Sequence, residues 1–127
     1  MKQLIIILVL IISIKGFTQS PVEIVGKWIN VPKQNTIVEV YKVGDEFMGK
    51  IQWAKDNDER KPVGFTIMDH LRFNPKTNSW EHGKIHDPNS GKTYSASAVI
   101  RPDDTLELYA YMGIKLLGTS KIFKRVK

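Results

Sequence analysis

The three histidines of this chain are the side chains best suited to hold a metal or move a proton, and their spacing limits what they can do. His82 and His86 stand four apart, a separation that lets two imidazoles on one helix face share a zinc ion. Gly83 lies between them and Asp87-Pro88 follows, which argues for a strand instead. On a strand both keep one face but stand roughly 13 Å apart, too far for one ion. No metal site is expected. His70 follows Asp69, and the two could form a carboxylate–imidazole pair. No serine or cysteine is marked as a nucleophile by its surroundings, so that pair has nothing to activate. Asp56-Asn57-Asp58-Glu59 looks like the opening of a calcium loop. Lys61 and Ile67 stand where that loop needs its glycine and its closing glutamate, so it reads as a charged, solvated connection.

His86, Asp87 and Tyr94 are the remaining set with acid–base potential. Catalysis would require them to converge on a nucleophile or a water. The sequence Asp87-Pro88-Asn89-Ser90-Gly91 gives Asp87 a different task. Its carboxylate can accept hydrogen bonds from the backbone two residues on, Pro88 presets the first corner φ, and Gly91 can take the positive φ that closes such loops. Asp87, Pro88 and Gly91 therefore set a hairpin's register, and no catalytic residue is expected. Tyr94 and His86 are left free to face whatever the fold encloses.

Aromatic side chains are numerous for so short a chain: Trp53, Phe65, Phe73, Trp80, Tyr94, Tyr109 and Tyr111. Ala96 and Ala98 leave one strand face narrow. Small residues opposite large ones can fill a tapered interior. They can equally leave a cavity edged by tyrosine hydroxyls, suited to a small amphipathic ligand. The candidate ligand contacts are Trp53, Trp80, Tyr94, Tyr109 and Tyr111, with His86. No cofactor is expected.

The elements that must position these residues are strands. Period-two alternation is common and helical periodicity scarce. Phe47, Gly49, Ile51 and Trp53 share one face; so do Tyr94, Ala96, Ala98 and Ile100; so do Leu106, Leu108, Ala110 and Met112. In the last run, Ile122, Lys124 and Val126 oppose Phe123 and Arg125, and its inner face is ambiguous. Turn signals recur near every ten residues, from Gly44-Asp45 to the stretch between Gly113 and Gly118. About eight short strands joined as sequential hairpins predict an all-β, antiparallel up-and-down barrel. Closure removes the exposed edges of such a meander.

Lys2 precedes an apolar run from Leu4 to Ile12, and Lys15-Gly-Phe-Thr-Gln-Ser20 is more polar. These are the parts of a secretory leader, expected over residues 1–19, with one barrel domain over 20–127. The run is shorter than the roughly 20 residues a spanning helix needs, so no stable membrane span is expected after cleavage. The chain has no cysteine, so neither a disulfide nor a lipidated-cysteine anchor is available. About 110 residues remain, enough to bury a core without staples. Losing Lys2 and Lys15 with the leader lowers the formal charge from +6 to +4. The lysines are scattered, and nucleic-acid binding is not expected of an exported chain without a basic stripe. The expected location is periplasmic or secreted; the oligomeric state is not specified.

Gly26-Lys27-Trp28, Gly49-Lys50-Ile51, Pro62-Val63-Gly64, Trp80, Gly83-Lys-Ile-His-Asp-Pro88, Ser90-Gly-Lys-Thr-Tyr94, Leu106, Tyr111-Met-Gly113, Leu116-Leu-Gly118 and Arg125-Val126 follow one another in an order that covers nearly all of the chain after the leader. In that order and spacing the chain resembles DUF2147, an exported bacterial family of unknown function. It departs in a shorter Asp56–Lys61 loop, in His86 where an aromatic is usual, and in Lys121-Ile-Phe near the end. The resemblance implies a small lipocalin-like barrel of the bacterial envelope and carries over no catalytic residue. It also implies that Trp28 plugs one barrel end beneath a basic residue of the last strand, here Arg125, as a cation–π contact. The expected function is non-enzymatic binding of a small apolar or amphipathic ligand. The alternative is an envelope protein- or polymer-interaction module with a filled barrel, and an enzyme is the third reading.

Overall fold

Alternating apolar and polar residues, interrupted by glycine, proline and asparagine turns, build eight antiparallel strands in chain order. A computed structural model describes residues 19–113 and 118–127. The leader expected over 1–19 lies, apart from Gln19, outside the described residues, as do positions 114–117 of the Gly113–Gly118 turn. A short 3₁₀ turn, Pro21–Ile24, leads into β1 (Gly26–Val31). The others are β2 (Thr36–Val43), β3 (Glu46–Ala54), β4 (Thr66–Asn74), β5 (Ser79–His86), β6 (Thr93–Ile100), β7 (Thr105–Tyr111) and β8 (Thr119–Arg125). Each strand pairs with the next, and β8 pairs back onto β1 through Trp28↔Arg125 and Asn30↔Phe123, closing the barrel. No helix among the described residues is long and apolar enough to cross a membrane.

The barrel is sealed at the end that carries the Pro21–Ile24 turn. Trp28 and Trp80 are fully buried there, together with Ile24, Phe47 and Leu71. Both indoles reach the turn's backbone: Trp80 Nε1 donates to the Pro21 carbonyl (3.0 Å) and Trp28 Nε1 to the Ile24 carbonyl (2.9 Å). The Arg125 guanidinium lies 4.2 Å from the Trp28 ring centroid and donates to the Glu23 carbonyl and to Asp104. Two indoles and one arginine thus satisfy backbone carbonyls that the turn would otherwise leave unpaired. Gly26, at φ 141°, precedes this contact; a methyl group there would stand 3.3 Å from Arg125 Nη1.

Large residues at this end are accommodated by small ones opposite. Trp80 pairs with Ala98 across β5 and β6, and Leu71 fills the notch left by Gly83. Ala98 is therefore buried against bulk, and Ala96 is buried beside Gly83. Of the two interiors the sequence allowed, the fold has both: one half packed, the other hollow.

Two strand faces differ from expectation. Trp53 does not follow Phe47, Gly49 and Ile51 inward. It is 39% exposed on the outer surface, because the register shifts between Val38↔Ile51 and Ile37↔Trp53 and Gln52 is the extra residue. One inserted residue sends every later side chain to the other face, and Ala54 takes the buried position instead. On β8 the ambiguity resolves with Phe123 buried inside. Lys121, Phe123 and Arg125 share that face, from the open end to the sealed one.

Candidate functional site

The hollow half of the barrel is a cavity of about 750 Å³. Its wall comes from the inward positions of alternating strands: Val38 and Val40 of β2, Ile51 of β3, Ile67 and Met68 of β4, Ile85 of β5, and Leu106, Leu108 and Ala110 of β7. Trp28 forms part of its lining at the sealed end. The volume lies within the roughly 300–1,000 Å³ typical of small-molecule sites. It equals the space of about 25 waters at about 30 Å³ each, yet the wall offers them few partners.

Polar groups gather at the opposite end, where the loops after β1, β3, β5 and β7 meet. Asn30, Thr36, Arg60, Lys61, Asp87, Tyr94 and Lys121 all line the cavity there. Asn30 Oδ1 accepts the Asn35 and Thr36 amides, which fixes the β1–β2 loop. Asn35 Oδ1 in turn accepts from Lys61 Nζ at 3.0 Å. Arg60 pairs with Asp58 through its Nε and Nη2 at 3.1 Å. Among the described residues neither Lys61 nor Lys121 has a carboxylate within salt-bridge distance. Burial pushes the Lys61 ammonium below the ordinary 10.5; Asp58 acts against this, and the positive charges of Lys33, Arg60 and Lys121 reinforce it.

Asp87 is occupied by its own hairpin. Its carboxylate accepts the Asn89 amide at 2.9 Å and the Ser90 hydroxyl at 3.0 Å, while its carbonyl accepts the Gly91 amide. Gly91 sits at φ 73°, and nothing crowds the α-carbon. The Asn89 amide, and then the Ser90 hydroxyl, hold the Asp87 carboxyl below its ordinary value.

His70 and His86 join Asp69 in a network at the rim. His86 Nε2 lies 3.0 Å from Asp69 Oδ2, and its Nδ1 lies 3.0 Å from Thr93 Oγ1. Asp69 Oδ1 meets His70 Nδ1 at 2.7 Å, so one carboxylate bridges two imidazoles. Partial burial raises the Asp69 pKa, but hydrogen bonds from His70 and His86 outweigh it and hold the carboxyl low. The hydrogen bond to Asp69 raises the His70 imidazole. His82 is exposed and takes no part; it sits in a bulge of β5 at φ 62°.

The expected ligand contacts therefore divide. Tyr94 and His86 line the cavity near its mouth, and Tyr111 reaches its edge. The Tyr94 hydroxyl has no hydrogen-bond partner among the described residues. Tyr109 stacks on Tyr111 at 5.7 Å and accepts the Gly118 amide at 3.1 Å, facing a shallow outer groove. Trp80 packs on Phe73 in the sealed base, and Trp53 is outside. The aliphatic wall and the lysines are not among the contacts expected from the sequence, where the aromatics stand out more. The alternation of Thr36, Val38 and Val40, and the placing of Lys121 two residues before Phe123, are the signals that lead to them.

Residues 26–125 match the family described as "Uncharacterized protein conserved in bacteria (DUF2147)". The chain belongs to this family. No curated protein matches it. Among solved structures it is similar to one described as "Protein HP1028 from the human pathogen Helicobacter pylori belongs to the lipocalin family". The TM-score is 0.66 at 17% identity, covering 87% of this chain and 84% of that one. That likeness is one of fold: a lipocalin-like closed barrel. In this DUF2147 chain the residues that carried the resemblance are mostly scaffold. Gly26, Trp28 and Arg125 build the seal, Gly83 receives Leu71, and Asp87, Pro88 and Gly91 shape the hairpin.

Proposed function

We propose that this barrel is an exported, non-enzymatic binder of a small amphipathic ligand, held with its apolar part in the cavity and its polar part at the mouth. One observation carries the reading: an apolar space of about 750 Å³, closed at one end and ringed by polar side chains at the other. Such a space favours an apolar occupant over ordered water. Binding rather than catalysis is supported by the state of the acid–base candidates. Both ring nitrogens of His86 have partners, and the Asp87 carboxylate is engaged by its turn. Export rests on the leader expected over residues 1–19. The interaction-module alternative calls for a filled interior, which the cavity argues against.

The neutral dye N-phenyl-1-naphthylamine tests the reading, since its fluorescence rises on entering an apolar site. The wild-type chain is expected to enhance it saturably. Ala110→Phe, which projects a ring into the cavity, is expected to weaken that binding about tenfold or more, with one large side chain displacing ligand volume. Its melting temperature should stay within a few degrees of wild type. Absence of saturable enhancement with the folded wild type would overturn the proposal.

A further inference from the structure

We propose that the cavity selects amphiphiles with an anionic headgroup, a carboxylate in the first instance, held at the mouth by Lys61 and Lys121. The inference rests on the ligand-binding reading above and specifies the chemistry of its polar end.

Among the charged side chains lining the cavity, Arg60, Lys61 and Lys121 are cationic and Asp87 is anionic. The Asp87 carboxylate is held in the Asp87–Gly91 turn by the Asn89 amide and the Ser90 hydroxyl, and although its charge reaches Lys121, one anion leaves the three cations in excess. Arg60 is already paired with Asp58. Lys61 and Lys121 remain, with no carboxylate in salt-bridge distance among the described residues. Lys61 is half-buried and donates to a neutral amide oxygen of Asn35, which fixes its position without cancelling its charge. Lys121 shares its strand face with Phe123, so its stem runs along the wall of the same space. Tyr94 lines the same cavity, and its hydroxyl is a donor with no partner among the described residues. Lys61 is partly withdrawn from water and Lys121 is exposed at the lip, and the cations lining the cavity outnumber its one carboxylate. A ligand anion arriving there gains charge-assisted hydrogen bonds that an alcohol cannot supply and that an amine would oppose.

The test uses the full chain, the naphthylamine dye, and three competitors sharing one saturated tail: tetradecanoate, tetradecanol and tetradecylamine, each below its micelle-forming concentration. Tetradecanoate is expected to displace the dye about tenfold more effectively than tetradecanol, the equivalent of one charge-assisted hydrogen bond. Tetradecylamine should be the weakest. Lys61→Met and Lys121→Met should each reduce the preference for acid over alcohol, and the double substitution should abolish it. The affinity for tetradecanol should not change. If Lys61→Met fails to fold, Lys121→Met and Lys61→Gln carry the same comparison. Equal displacement by all three competitors, or a preference untouched by the lysine variants, overturns the anion inference and leaves the cavity reading standing. Failure of all three to displace a dye that does bind also overturns the inference. Failure of the dye itself to bind removes the reading beneath it.

Discussion

At the scale of single residues, the Asp69–His70 pair couples protonation to the folded structure. His70 has its pKa raised above the ordinary 6.5 by the hydrogen bond to Asp69, and Asp69 is held below the ordinary 3.8. The signs follow from linkage. The His70 contribution is complete below the unfolded value and is lost as pH rises through the higher folded one. The Asp69 contribution is present above the unfolded carboxyl value and is lost as pH falls through the depressed one. Both are present together between the ordinary values of 3.8 and 6.5. His70 is exposed, so spectroscopy is a better measure than denaturation. An NMR titration should place its midpoint above that of a free imidazole, and Asp69→Asn should return it there. An unchanged midpoint in Asp69→Asn would show that the pair does not form in solution. The Asp69–His70 adjacency was visible in the sequence. The second imidazole was not, because His86 reaches Asp69 across the β4–β5 pairing, which only a known register supplies.

At the scale of elements, the alternation of apolar residues gave the inner faces of β6 and β7 correctly, and local turn chemistry gave the β5–β6 hairpin. It failed at bulges. Nothing in Ile51-Gln52-Trp53 announces the inserted residue that turns Trp53 outward, since a bulge is settled by the pairing of two strands rather than by one strand's composition. A second bulge at His82 shifts β5 against β6, from Trp80↔Ala98 to Gly83↔Ala96. It delivers Gly83 to the interior, where Leu71 occupies the space of the missing side chain. An added methyl group would stand 2.5 Å from Leu71 Cδ2 and 2.8 Å from its Cγ. Gly83→Ala is therefore expected to destabilise the barrel by about 1–3 kcal/mol through overpacking. In a Leu71→Ala background the same substitution should cost less, and urea denaturation of the four-member cycle measures the difference. Equal costs in the two backgrounds would mean that the notch is not what holds Leu71.

At the scale of the whole molecule, the barrel is asymmetric along its axis. One end is closed by two indoles, an arginine and a turn; the other carries lysines, amides and a tyrosine hydroxyl around an open space. The eight-strand meander was legible because it needs only local periodicity and turn spacing. How far its interior was filled was not, since that depends on which large residue meets which small one across strands. Trp80 against Ala98 fills the base, while nothing of comparable size opposes Ala110. The three tryptophans consequently occupy three optical environments: Trp53 in water, Trp80 in the dry base, and Trp28 both buried and bordering the cavity. In a Trp53→Phe chain, the remaining emission should come from two shielded indoles, only one of which an occupant can approach. Acyl chains carrying bromine at successive carbons should then quench that emission in order of how close each bromine comes to Trp28. The protein contains its own depth gauge, and a quenching profile that is flat along the chain would mean that the tail does not lie along the barrel axis.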